Sequence, residues 1–234
     1  TDLRIEAGKG WDAAQYEGSR DLIVWESRDL IHWSEERACT VGIPGAGCVW
    51  APEAVYDREK EEFLVFWASM VRKEDEPESK QRIYASWTAD FREYSDPFLY
   101  LERDVNVIDT TIVEDQGWYY RISKDESNKC LILEKSRTLT GEFQTVPSET
   151  LEELEGVEGP EAYLLPDGET WCVIADRFAE GKGYLPMLTR DLSGGKLEIL
   201  PEDAYDLGKN KKRHGGILPL EAQEYERLLQ TFGE

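Results

Sequence analysis

The sequence predicts an all-β fold, a five-bladed β-propeller whose first blade is incomplete at the N-terminus, on the strength of three observations. Four short segments repeat one design: VWAPEAVYD (49–57), VIDTTIVED (107–115), VEGPEAYLLPD (157–167) and RHGGILPL (213–220). Each is a brief strand-like stretch with a Glu, Asp or His at or near its start. The first three lead through a turn into a second, strongly apolar strand: FLVFWAS (63–69), WYYRISK (118–124) and WCVIAD (171–176). The third observation is a strand–turn–strand theme with a Ser/Thr-x-Asp/Thr-Leu/Phe turn, seen in RDLIVWESRDLIHWSEE (20–36), QRIYASWTADFREYSDP (81–97), KCLILEKSRTLTGEFQTV (129–146) and GYLPMLTRDLSGGKLEIL (183–200).

The apolar turn residue falls at Leu30, Phe91, Leu139 and Leu192, at intervals of 61, 48 and 53 residues. Such intervals fit one four-stranded blade each. The Asp or Ser of each turn accepts backbone N–H bonds and stops the strand. A meander sandwich also spaces its strands regularly, but it does not explain a matched polar residue at every first strand. Polar side chains at one repeat position converge on a common axis.

Taken in chain order, Thr1 opens into TDLRI, which reads as the tail of a strand, with no starter Met. Thr1 to Glu36 then supplies the later strands of a blade whose first strand would lie before Thr1, interrupted by the insertion EAGKGWDAAQYEGS (6–19). Three full repeats follow. From Arg213 the chain supplies the first strand of a last blade, followed by AQEYERLLQTFG (222–233), which reads as a helix. Residues 1–234 form a single domain by this reading, long enough for a real hydrophobic core.

Eight Trp, eleven Tyr and seven Phe suit the wedges between twisted sheets, and rings not spent there can stack on sugar faces. The net charge is −22, with 27 Lys+Arg against 49 Asp+Glu. Such a surface repels polyphosphate and argues against a nucleic-acid partner. No apolar run reaches the length of a membrane span, and the opening residues do not read as a signal peptide; cytoplasmic is the default expectation, with no membrane partner. Cys39, Cys48, Cys130 and Cys172 show no metal-ligand spacing. Cys130 and Cys172 sit in apolar runs as small hydrophobes, and a Cys39–Cys48 bridge is the minority alternative to free thiols.

At WAPE (50–53), VIDTT (107–111), VEGPEAYLL (157–165) and RHGGILPL (213–220), in order and at blade spacing, the sequence resembles the family 43 glycoside hydrolases. These are five-bladed propellers that cleave arabinosyl and xylosyl linkages with inversion. The resemblance implies a hydrolase releasing arabinofuranosyl or xylosyl residues from plant-type polysaccharides or oligosaccharides, with no obligatory cofactor. It also implies roles: Glu158 as general acid, Asp109 as the carboxylate that modulates it, and His214 as a floor residue that binds a metal ion or a water network. The general base of the family, an Asp usually followed by Pro on the first inner strand, has no match here.

The chemistry asks for a protonated carboxyl at the leaving oxygen and an ionised one, about 6.5–9.5 Å away, activating water on the other face. Burial and a neighbouring negative charge are what hold a Glu proton near neutral pH. The bland alternative for Glu158 is one more charge in LEELEGVEGPE, and for Asp109 a strand-end carboxylate bonded to backbone. Glu53 can line the same funnel or bond between blades, and Trp50 is divided between a sugar-stacking wall and the core. Arg121 and Lys124 are expected at the funnel mouth against sugar hydroxyls, with a surface ion pair as the alternative. His32 reads as surface packing. At His214, water-filled coordination fits calcium or sodium better than zinc. Asp2 and Asp12 are the nearby carboxylates that could stand in for the base, although neither heads an inner strand. A non-catalytic carbohydrate-binding or inactive propeller is the rival reading. A related fructosyl-cleaving, retaining propeller family fits VIDTT and RHGG less well.

Overall fold

The computed structural model describes residues 10–233. Three four-stranded antiparallel meanders dominate it. The first is β3 (Trp50–Asp57), β4 (Glu62–Val71), β5 (Lys80–Thr88) and β6 (Phe98–Leu101); the second is β7 (Val107–Asp115), β8 (Trp118–Asp125), β9 (Cys130–Ser136) and β10 (Gln144–Thr145); the third is β11 (Glu158–Leu164), β12 (Trp171–Asp176), β13 (Tyr184–Thr189) and β14 (Glu198–Ile199). Before them a two-stranded sheet pairs β1 (Asp21–Val24) with β2 (Arg37–Thr40). By their place before and after the Asp29-Leu30 turn, β1 and β2 correspond to the third and fourth strands of the complete blades. The outer strands of the incomplete and first complete blades start just beyond the segments expected from sequence, at Arg37 and Phe98.

The middle strands β4 and β12 are apolar along most of their length because their two faces serve two different interfaces. In β4, Leu64, Phe66 and Ala68 pack toward Ile108 and Ile112 of the next blade, while Val65 and Trp67 pack toward Leu22 and Cys39 of the β1–β2 sheet. In β12, Trp171, Val173 and Ala175 join Ile122, Leu131 and Leu133, and the alternate residues Cys172 and Ile174 pack with Tyr184 on the other face. Period-two alternation is thus present, but apolar side chains fill both halves of it. The outermost strands β10 and β14 are only two residues long, which leaves little free edge for pairing with other chains.

The turn motif is real structure. Leu30 and Phe91 adopt positive φ (62° and 55°), and the preceding Ser27 or Thr88 hydroxyl accepts their N–H at 2.9 Å. Leu139 and Leu192 at the equivalent turns are buried. All four cysteines are free thiols, so the Cys39–Cys48 bridge does not form. Within the 6–19 insertion, Trp11–Tyr16 form a short helix, α1; α2 spans Glu149–Glu153 and α3 spans Ala222–Phe232. Among the described residues no helix is long and apolar enough to cross a membrane. TDLRI and Asp2 lie outside the described residues.

One expectation is corrected. Residues 213–220 do not form the first strand of a further blade: they carry no regular secondary structure and are exposed along their length. A strand needs a ladder partner for its backbone groups. Here the segment is tethered instead through Tyr184, whose N–H donates to the Lys212 carbonyl at 3.3 Å and whose hydroxyl meets both backbone groups of Gly215.

Candidate active site

The inner strands β3, β7 and β11 stand side by side, and each is broken near its start by a β-bulge. The register shifts fall between Trp50 and Glu53, Ile108 and Thr110, and Glu158 and Glu161. At each bulge one residue takes the left-handed conformation: Ala51 (φ 46°), Asp109 (φ 47°) and Gly159 (φ 52°). Only the glycine does so without steric cost. Retaining Ala and Asp there means the surrounding pairing over-determines the backbone, as happens where a kink re-aims side chains. The three kinks align Ala51-Pro52-Glu53 with Asp109-Thr110-Thr111 and Gly159-Pro160-Glu161, one triplet per blade.

Asp109 is buried at 6 % exposure. Its Oδ2 accepts the Gly159 N–H at 3.2 Å, which joins the left-handed residues of adjacent blades. His214 Nδ1 stands 3.9 Å from its Oδ1. The imidazole lies directly over Gly159, where an added Cβ would come within 2.6 Å of the ring.

Glu158 opens β11 with its side chain about a quarter exposed. Both of its oxygens meet cations: Lys124 Nζ donates to Oε2 at 3.0 Å, and Arg213 Nη2 lies 3.3 Å from Oε1. Lys124 is 2 % exposed and also pairs with Glu126 at 2.8 Å. Burial works against its charge, yet Glu126, Asp109 and Glu158 together hold its pKa above the ordinary lysine value. Lys124 therefore belongs to the site, as an internal counter-ion more than as an arm at the funnel mouth.

The third residues of two triplets, Glu53 and Glu161, lie close enough to feel one another's charge. Burial is the main cause that lifts Glu53 well above the ordinary carboxyl range, with the Glu161 charge adding to it, a hydrogen bond with Thr111 opposing it and Asp109 adding further. Glu161 is pushed up to about 7, chiefly by burial. Glu53 thus lies within reach of the charges of Glu161 and Asp109. Glu161 was missed as one more acid of a Glu-rich loop. The signal was present in the shared Pro-Glu of WAPE and EGPE at one repeat offset.

Arg121 is corrected. It is buried at 5 % exposure and faces away from the axis, donating through Nε and Nη2 to Glu134 at 3.0 and 2.8 Å and stacking on Phe143 at 4.0 Å. The strand alternation that aims Lys124 at β11 turns Arg121 to the opposite face. Trp50 packs against the core between the first two complete blades and meets the exposed Trp11 edge-on, with centroids 6.3 Å apart. Asp12 sits beside Trp11 on the exposed face of α1. His32 is a surface residue whose Nδ1 meets Asp29 at 2.8 Å. A calcium or sodium ion at His214 would need a set of oxygen donors. Among the described residues no group of three or more His, Cys, Asp or Glu is placed to hold a metal ion.

Residues 1–226 match the family described as a probable glycosyl hydrolase domain, a relative of family 43. The chain belongs to that family. A curated α-L-arabinofuranosidase of Bifidobacterium longum is 28 % identical over 222 residues, covering 76 % of this chain and 21 % of that protein. Among solved structures, a thermostable family-43 glycoside hydrolase superposes with a TM-score of 0.55 at 16 % identity, over 77 % of this chain and 64 % of the other. The catalytic domain of a Coprinopsis cinerea family-62 α-L-arabinofuranosidase gives 0.58 at 11 % identity, over 78 % and 61 %. The chain thus spans about a fifth of the curated relative's length and somewhat under two thirds of these structures. At such identities the superpositions establish the propeller fold.

Proposed function

We propose that this family-43-related domain is an inverting glycosidase that releases arabinofuranosyl or xylosyl groups, with Glu158 as general acid and Asp109 as the carboxylate that orients it. The observation that carries the reading is the bond from Gly159 N–H to Asp109 Oδ2. It fixes the residue after Glu158 to the bulge of the neighbouring blade, so the two carboxylates keep one relative placement at the head of their strands. The curated relative's name supports an arabinofuranosyl substrate, and a carbohydrate is the partner class the family implies. In such a reaction Glu158 would give its proton to the leaving oxygen, and a second carboxylate about 6.5–9.5 Å across the sugar would activate water. Lys124 would keep Asp109 and Glu158 from repelling one another in the resting site. Glu53, His214 and Trp50 would line the floor and wall around the sugar.

A second reading is favoured by one observation: both Glu158 oxygens are occupied by Lys124 and Arg213, as in a propeller that binds sugar without cleaving it. Release of free pentose from unactivated arabino- and xylo-oligosaccharides, whose alkoxide leaving groups need a proton, with the first-formed anomer followed by NMR, separates the two. Inverted product from the wild type, lost in a folded Glu158→Gln, is the expected result. Turnover that survives Glu158→Gln overturns the acid assignment, and retained configuration overturns inversion. Saturable sugar binding without hydrolysis would establish the second reading.

A further inference from the structure

Asp176 closes β12 and stands in register opposite Glu158, the first residue of β11. The two carboxylates therefore leave adjacent strands at the same end of one blade. Asp176 is completely buried. Its Oδ2 accepts Arg213 Nε at 2.8 Å, while its Oδ1, equally buried, has no hydrogen-bond partner. An ionised carboxylate is an acceptor at both oxygens, and an unpaired buried acceptor is costly enough that native structures rarely keep one without a purpose. The same Arg213 extends Nη2 to Glu158 Oε1 at 3.3 Å, a long contact, and its side chain stays more than half exposed. The backbone on either side is held by Tyr184, so the guanidinium is delivered to this spot by a tethered segment.

A carboxylate oxygen in need of a donor beside a guanidinium with a loosely held N–H matches one kind of ligand well. Adjacent hydroxyls on a sugar ring donate through one O–H and accept at the next oxygen. We propose that Asp176 and Arg213 form a hydroxyl-recognition pair for the sugar seated at Glu158: the half-exposed Arg213 side chain swings outward as the sugar arrives, uncovering Asp176 Oδ1 to accept one ring hydroxyl, and, having left Glu158 Oε1, donates to its neighbour. The ligand class is a pentoside with two free vicinal hydroxyls. The pair selects such sugars over deoxy analogues and frees the Glu158 oxygen as the sugar arrives. This inference rests on the reading above that Glu158 faces the bound sugar.

The test is calorimetric titration of the domain with methyl α-L-arabinofuranoside, methyl β-D-xyloside and their monodeoxy analogues. Wild type, Asp176→Asn, Arg213→Gln and Glu158→Gln are compared, each checked for an intact thermal transition. The expected result is that wild type prefers a fully hydroxylated pentoside over at least one deoxy analogue by about 10- to 100-fold, the worth of a hydrogen bond to a charged group, and that Asp176→Asn abolishes this preference. Arg213→Gln, at a half-exposed position, should reduce the same preference and decides the matter if Asp176→Asn does not fold. Unchanged discrimination in the folded variants overturns the proposal and leaves Asp176 a structural anchor, whatever Glu158→Gln does to turnover. Conversely, turnover retained in Glu158→Gln with discrimination lost in Asp176→Asn would overturn only the acid assignment. A wild type that binds none of the pentosides overturns the pair.

Discussion

Asp109 Oδ2 accepts the backbone N–H of Gly159 across 3.2 Å, and both residues sit in the left-handed region on neighbouring inner strands. The bond links two kinks that would each be unfavourable alone. The bulge frees the Gly159 N–H from the β11–β12 ladder, and the Asp109 bulge turns its carboxylate to receive it. A single contact therefore positions the residue next to Glu158 and gives a buried carboxylate an acceptor role.

Replacing Asp109 separates the structural part of that role from the chemical part. Asp109→Asn keeps an acceptor and a residue type that tolerates positive φ. It should fold with a loss below about 1 kcal/mol while any hydrolytic activity falls at least tenfold. Asp109→Ala orphans the Gly159 N–H and should cost on the order of 1–3 kcal/mol. Urea denaturation alongside hydrolysis of the same unactivated oligosaccharides reads both effects; equal stability of the two variants would mean the bond contributes nothing.

Gly159→Ala should be more damaging than an ordinary strand substitution. The added methyl would fall 2.6 Å from the His214 ring, at a φ of 52°, so the imidazole must move and the backbone is strained as well. A loss of about 1–3 kcal/mol is expected, with a perturbed His214 imidazole signal by NMR. An unshifted imidazole would show that the ring does not rest on this glycine.

Most of the architecture was legible in the sequence because each blade writes the same string of signals: a polar strand head, an apolar hairpin and an Asp-Leu turn. VIDTTIVED and WCVIAD became β7 and β12 to the residue. The segment at 213–220 looked like a strand because β-formers and glycines describe local preference, while a strand exists only with a partner beside it. Arg121 misled for a related reason, since two cations three residues apart at a strand end point to opposite faces. Asp176 gave no sign at all: a single Asp closing an apolar run marks a turn in most proteins, and its meaning comes from Arg213, 37 positions away.

The Glu53 and Glu161 carboxyls make stability depend on pH in an unusual direction. Burial raises Glu53 and lifts Glu161 to about 7, against an ordinary value of 4.5. Between those limits the folded chain holds more protons than the unfolded one, so stability is greatest below about pH 4.5 for these groups and declines as pH rises through 7. Glu161→Gln should flatten that decline and raise the midpoint of urea unfolding at pH 8 relative to wild type. Wild-type stability that is level from pH 5 to 8 would contradict the raised values.

The opposite sign is expected at Glu102, and Arg82 is the lever that tests it. The Arg82 side chain is fully buried; Nε donates to Glu102 Oε1 at 2.7 Å, Nη1 to the Val71 carbonyl at 2.7 Å, and Nη2 contacts Glu76. Hydrogen bonds from Lys73 and Arg82 overcome burial and bring Glu102 down to about 2. Its contribution is therefore present above pH 4.5 and lost as pH falls toward 2. Arg82→Ala strips both carboxylates of this partner and leaves the Val71 carbonyl without its donor, which should cost on the order of 3–5 kcal/mol. The loss should shrink in acid as Glu102 and Glu76 become protonated. Denaturant midpoints of wild type and variant at pH 7 and pH 3 give the comparison, and a penalty that does not shrink in acid would mean Arg82 acts through packing and its carbonyl bonds alone.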